Sequence, residues 1–212
     1  MRNRLLTFLT IITIALAAGA IDPGRAFVSA PESRFPIIPA MKRLDMLDYF
    51  RAGVGKPSPN RLTGSSRILS ETDNSITIEE VADSGAVTTI NIAAGAGKND
   101  SVLILVCNYR IPAVDGSVDI YTTSWEKYPP GSFTLPVLSD WVVKKPVMSR
   151  EDLENIIPFV PAAFSFDPET NILTLTNTLE SLLSPEDYAR VKDSIRPQLT
   201  YRWNGRKMTL RK

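Results

Sequence analysis

The 212-residue chain contains no histidine. That absence removes the side chain whose ordinary pKa lies nearest neutrality. Ser-His-Asp and Cys-His catalysis go with it, as do the zinc sites built on imidazole. Cysteine is almost absent: Cys107 stands alone, so no intramolecular disulfide can form. It ends the apolar run Val102-Leu103-Ile104-Leu105-Val106-Cys107, where a thiol behaves as a small buried hydrophobe. An excess of either charge is also missing, with 24 Lys and Arg against 23 Asp and Glu. Phosphate binding needs clustered cations, so nucleic acid is excluded as a partner. No calcium-loop spacing of the Asp-x-Asp-x-Asp-Gly type occurs, and no cofactor or metal is expected. An enzyme made of this chain would run on carboxylates, Lys, Tyr or Arg alone.

What is present starts at the first residue. Met1-Arg2-Asn3-Arg4 is basic, Leu5–Leu16 is apolar but for Thr7, Thr10 and Thr13, and the stretch closes on Ala18-Gly19-Ala20. A basic start, an apolar middle and a small-x-small exit make residues 1–20 a secretory signal peptide, too short for a convincing membrane span. Cleavage after Ala20 is expected, and Gly24-Arg25-Ala26 offers an alternative exit after Ala26. Losing residues 1–20 removes Arg2 and Arg4 and turns the net charge from +1 to −1. No cysteine lies near the exit, which excludes a lipid anchor. The expectation is a periplasmic or secreted protein with no transmembrane segment after cleavage.

About 190 residues remain, enough for one domain with an ample core. Residues 21–36 carry Pro23-Gly24, Pro31 and Pro36 without periodicity and read as an extended leader. The spacing predicts a helix over 39–52, with Met41, Leu44, Leu47 and Phe50 on its apolar face. Alternation then predicts strands over 66–71, 75–81, 87–93, 102–111 and 117–123, joined by turns too short for crossover helices. The sheet should be an antiparallel meander. Ser149 and Ser184 cap two short helices. Two hairpins follow, one turning at Asp167–Asn171 and one at Asn204-Gly205. The whole reads as one α+β domain over 37–212, with lobes at 37–143 and 144–212 as an alternative division.

Chemistry-bearing motifs fail on inspection. Gly95-Ala96-Gly97-Lys98 lacks the first glycine and the terminal hydroxyl of a phosphate loop, having Ile92 and Asn99 at those places. Ser124-Trp125-Glu126-Lys127 has the Ser-x-x-Lys spacing of acyl-transfer enzymes, but Pro129-Pro130 cannot carry the helix such a site needs. Asp45 and Asp48 share a helix face with Lys42 and Arg51 nearby, the pattern of a solvated surface. The irregular, proline-rich segment 124–143 holds Trp125, Tyr128 and Trp141. Aromatics in irregular loops are candidate binding residues, and these three are the candidate site, with burial as core side chains the competing reading.

Across the mature length, the chain resembles a family of exported, uncharacterised proteins of Bacteroidales, known as a domain of unknown function. The resemblance lies in Arg43–Phe50, Asn60-Arg61-Leu62 with Gly64, Val118–Trp125, Phe133–Pro136, Phe166-Asp167-Pro168 and Leu199–Gly205. It implies an envelope location and a gut or oral anaerobe as source; it implies no activity, cofactor or catalytic residue. Bacteria of that group O-glycosylate exported proteins at Asp, Ser or Thr, then an aliphatic residue. Asp100-Ser101-Val102 and Asp193-Ser194-Ile195 fit, with Ser101 the better acceptor.

The leading expectation is a non-enzymatic envelope protein that binds a protein or glycan partner; a carboxylate-based hydrolase of glycan or peptidoglycan is the alternative. One consequence is directly measurable. Neither reductant nor chelator should change the melting temperature, and a fall of several degrees with chelator would reveal an oxygen-ligand metal site.

Overall fold

The computed structural model describes residues 21–98, 100–110 and 113–211; the expected signal peptide, residues 1–20, lies outside the described residues. Two helices come first, α1 (Pro23–Ser29) and α2 (Ala40–Arg51). Six strands follow: β1 (Ser58–Pro59), β2 (Ser65–Glu71), β3 (Ser75–Val81), β4 (Val87–Ala96), β5 (Ser101–Arg110) and β6 (Val114–Thr122). The remainder contains α3 (Leu138–Trp141), α4 (Arg150–Ile156), β7 (Ala162–Asp167), β8 (Ile172–Asn177), α5 (Leu179–Leu182) and α6 (Pro185–Val191). It closes with a 3₁₀ turn at Lys192–Ser194, β9 (Gln198–Trp203) and β10 (Met208–Leu210).

The fold is mixed α+β. Strands β1 to β6 form one antiparallel meander in sequence order, and β7 to β10 form a second. The two expected hairpins are therefore one sheet, because β8 pairs with β9 from Ile172↔Arg202 to Thr176↔Gln198. Among the described residues no helix is long and apolar enough to cross a membrane.

β5 explains the layering. A strand with one dry face alternates apolar and polar residues, whereas a strand buried on both faces reads as an unbroken apolar run. Every residue of Val102–Val106 is buried. Leu103 and Leu105 join Ile76, Ile78, Ile90 and Ile92 in a core roofed by α1 and α2. Val102, Ile104 and Val106 face the opposite way, into a core shared with Phe164, Leu173, Leu175, Leu199 and Tyr201 of the second sheet. The second sheet does alternate: Phe164 and Phe166 are buried while Ser165 and Asp167 are exposed.

β7 is an edge strand, and side chains rather than a further strand satisfy its backbone. The Asn108 amide accepts from Phe164 N at 2.7 Å and donates to Phe164 O at 2.9 Å. Asp115 Oδ1 accepts from Ala162 N at 3.2 Å. Gly116 is required beside them, since a Cβ there would collide with the Phe164 ring.

Two expectations are corrected. Residues 21–36 are not an extended leader: α1 is a helix, capped by Asp22 Oδ1 accepting from Arg25 N at 3.0 Å, with proline at its start. A helix of seven residues is not stable alone; this one is held by the burial of Ala26, Phe27, Ala30, Phe35 and Ile38. The apolar face of α2 also differs. Met41 is 72% exposed and Leu44 is exposed as well, while Arg43, Met46 and Leu47 are buried. Arg43, only 1% exposed, donates to the carbonyls of Val28, Ala30 and Ile38. It thereby satisfies the orphan acceptors at the end of α1, and its guanidinium lies over the Phe35 ring. A periodicity counted on apolar residues alone could not place a cation inside.

Asn108→Ala should destabilise the protein by about 1–3 kcal/mol through the unpaired Phe164 backbone groups. Leu47→Ala should cost about 2–5 kcal/mol. Asp48→Asn, at an exposed position, should stay within about 0.5 kcal/mol. Urea denaturation checks all three, and an Asp48→Asn protein that unfolds would mean that the helix is wrongly oriented.

Candidate functional site

The irregular segment after β6 runs around the edge of the first sheet. Tyr128 N donates to Ile120 O at 2.8 Å, and Thr122 N donates to Glu126 O at 2.8 Å. Within this turn Trp125 adopts φ +66°, a region unfavourable for a bulky residue. Its indole is buried against Phe35 and Tyr121, and Nε1 donates to Ala26 O at 3.2 Å. Tyr128 lies half-buried on the other core, edge-on to Trp203, with its hydroxyl donating to Gly205 O at 3.1 Å. Trp141, at the end of α3, is 1% exposed in that same core. The three expected binding aromatics thus do not meet on one surface. Trp125 serves the core beneath the helices, and Tyr128 and Trp141 serve the core between the sheets.

The same segment nevertheless makes a groove. Leu135-Pro136-Val137-Leu138 and Pro158-Phe159-Val160 line it together with the buried Trp141, Phe164 and Leu175 and with Asp115, around a volume of about 410 Å³. Leu135, Val137 and Phe159 are 62%, 63% and 55% exposed. Prolines explain why. Pro136, Pro158 and Pro161 keep their neighbours extended and out of regular elements, so these apolar side chains have no helix or strand face through which to reach a core. Apolar residues bracketed by prolines, without periodicity, were the available sequence signal. Asp115 binds Gly116 N and Ala162 N through Oδ1.

The other chemistry-bearing residues are dispersed. Lys127 pairs with Asp119 at 2.9 Å, and Ser124 lies 2.9 Å from the Thr122 hydroxyl; the Ser-x-x-Lys pattern falls on a tight turn, not a helix. Gly95 and Ala96 belong to β4, and Asn99 lies outside the described residues. Asp45 and Asp48 are exposed. Ser101 is half-buried as the first residue of β5, opposite Ala96, whereas Ser194 is fully buried and accepts from Val147 N. Burial pushes the Cys107 thiol up to about 11, so it remains protonated near neutrality. Among the described residues no group of three or more Cys, Asp or Glu is placed to hold a metal.

A second pocket, of about 590 Å³, gathers Asp22, Glu71 and Asp73 beside Ile21 and Arg51. Arg51 bonds to Asp22 at 3.0 Å and to Glu71 at 3.1 Å. Burial pushes the Asp22 carboxyl up, but Arg25 N–H and the Arg51 guanidinium outweigh it and hold it below its ordinary value. The carboxyl poised near neutrality is elsewhere. Glu80 lies on the helix-facing side of the first sheet, in register with Ser66 and Thr88. Burial raises it to about 7, and its Oε1 is buried without a hydrogen-bond partner among the described residues.

The family model described as a protein of unknown function (DUF3256) matches residues 15–208. No curated protein matches the chain. The fold is similar to a solved domain of an uncharacterized protein from Porphyromonas gingivalis W83, with a TM-score of 0.72 and 21% identity over 91% of this chain and 98% of that one.

Glu80 generates a pH prediction with a definite sign. Its folded pKa lies above the ordinary 4.5, so its contribution is fully present below that value and is lost as pH rises through about 7. Glu80→Gln keeps the neutral form. The variant should melt several degrees above the parent at pH 8, with the gap closing towards pH 4. An equal gap at both values would show that Glu80 does not titrate in this range.

Proposed function

The chain belongs to the DUF3256 family, whose function is unknown, and we propose that it is an exported envelope protein that acts by binding rather than by catalysis. The export part is supported by the N-terminal pattern of residues 1–20, basic, apolar and then small. A Bacteroidales source is supported by the organism of the similar solved structure. The binding part is carried by one observation: three large apolar side chains, Leu135, Val137 and Phe159, stand exposed around a single groove also lined by Trp141. Exposed apolar patches rimmed by polar groups mark sites of association.

The occupant that fits is an extended, apolar polypeptide segment. The walls are aliphatic side chains and a phenyl ring, and Asp115 alone offers a carboxylate, suited to an N–H or ammonium on the segment. A glycan would leave its hydroxyls without partners against such walls. Ser101, at the start of β5, is proposed as a glycan acceptor, to be checked by the intact mass of the exported protein.

A carboxylate-based hydrolase is the second reading, favoured by the gathering of Asp22, Glu71 and Asp73 at one pocket. Arg51 weakens it: its guanidinium is bonded to Asp22 and Glu71 and helps to hold the Asp22 carboxyl below its ordinary value, whereas a general acid must hold its proton.

Two probes separate these readings in a nuclear magnetic resonance titration. A Leu-Lys-Leu-Lys-Leu peptide should shift the resonances of Val137, Phe159 and the Trp141 indole, and the exposed double variant Val137→Asp/Phe159→Asp should abolish the shifts. Shifts with a tetramer of N-acetylglucosamine alone, or with neither probe, would overturn the peptide groove.

A further inference from the structure

We propose that the chain is cut between Ala20 and Ile21 on export, so that α1 is a built-in part of the mature core and not leader. The proposal rests on the export reading above and decides between the two small-x-small exits, Ala18-Gly19-Ala20 and Gly24-Arg25-Ala26.

The second exit falls inside α1. A cut after Ala26 would remove Asp22, which caps the helix and pairs with Arg51. It would remove Gly24, which packs so closely on α2 that a Cβ there would meet the side chains of Leu47, Arg51 and Glu71. It would sever Ala26 itself, whose carbonyl holds the Trp125 indole N–H. Trp125 keeps its unfavourable backbone conformation within that setting, so the loss would propagate to the turn after β6.

Charge argues in the same direction. Cleavage creates an α-ammonium group on the first residue of the product. After the second exit it would sit on Phe27, which is 0% exposed, and an unpaired buried ammonium is strongly disfavoured. After the first exit it sits on Ile21, half-buried at the pocket shared with Asp22, Glu71 and Asp73. Three carboxylates stand there against the guanidinium groups of Arg51 and of Arg25, which lies 3.5 Å from Asp22, so the new positive charge still meets one surplus negative charge.

N-terminal sequencing and intact mass of the protein from the extracytoplasmic fraction of a producing cell test this. A mature chain that begins at Ile21 is expected. In the full precursor, Ala20→Tyr should abolish processing. A chain that begins at Phe27, or an Ala20→Tyr precursor still processed to Phe27, would overturn the assignment while leaving export intact. A chain that begins at Met1 and stays in the cytoplasm would overturn the export reading and this proposal with it.

Discussion

β5 has no solvent face over Val102–Val106, and both layers of the molecule depend on that. The helices need Leu103 and Leu105 below them, and the second sheet needs Val102, Ile104 and Val106. At roughly 25 cal/mol per Å² of apolar area removed from water, each layer draws part of its stability from the side chains of this one shared strand. Hydrophobic burial has no direction, however, and would tolerate a sheet slid or rotated on its neighbour. Direction comes from a few polar groups placed at the margins of the two cores.

Those groups share a logic. Asn108 and Asp115 supply to β7 the hydrogen bonds a further strand would supply, fixing where the second sheet's edge lies on the first. Arg43 does the same for the end of α1, gathering three carbonyls around a buried guanidinium. The Trp125 indole N–H bonds to Ala26 within α1. The Asn108, Asp115 and Trp125 bonds join residues 56, 47 and 99 positions apart, so each contributes to alignment more than to net stability. Not every buried polar atom is matched: Arg43 Nε, Asn91 Oδ1 and Glu80 Oε1 lack partners among the described residues, and burial raises the Glu80 pKa.

Much of this was legible in the sequence. The strands β2 to β6, the two serine-capped helices and both terminal hairpin turns follow from period and turn chemistry, which are local properties. The misreadings concern tertiary properties. α1 is too short to show a period, and its proline and glycine read as breakers although Pro23 starts the helix. α2 was located, but its buried face includes Arg43, a residue whose burial depends on carbonyls thirteen and fifteen positions away. The union of the two hairpins depends on β8 meeting β9 across two intervening helices. Trp125, Tyr128 and Trp141 stood out by residue type, but they divide between the two cores, and the exposed side chains of that region are the less conspicuous Leu135, Val137 and Phe159. Asn108, Asp115 and Gly116 carried no motif at all.

The groove follows from the same architecture. Its lining joins Trp141 and Phe164, buried in the core between the sheets, to proline-held segments that cannot fold inward. A preformed lining lowers the ordering cost of binding. The central claim, that one strand sustains both layers, is tested most directly by unfolding in urea with one tryptophan per layer. One variant would retain only Trp125, beneath the helices, and another only Trp203, between the sheets, with phenylalanine at the other two positions. In each variant the fluorescence midpoint should coincide with the loss of β-sheet circular dichroism measured on the same sample. A fluorescence transition that precedes the loss of sheet signal in either variant would mean that its layer comes apart alone, and would contradict the dependence of both layers on β5.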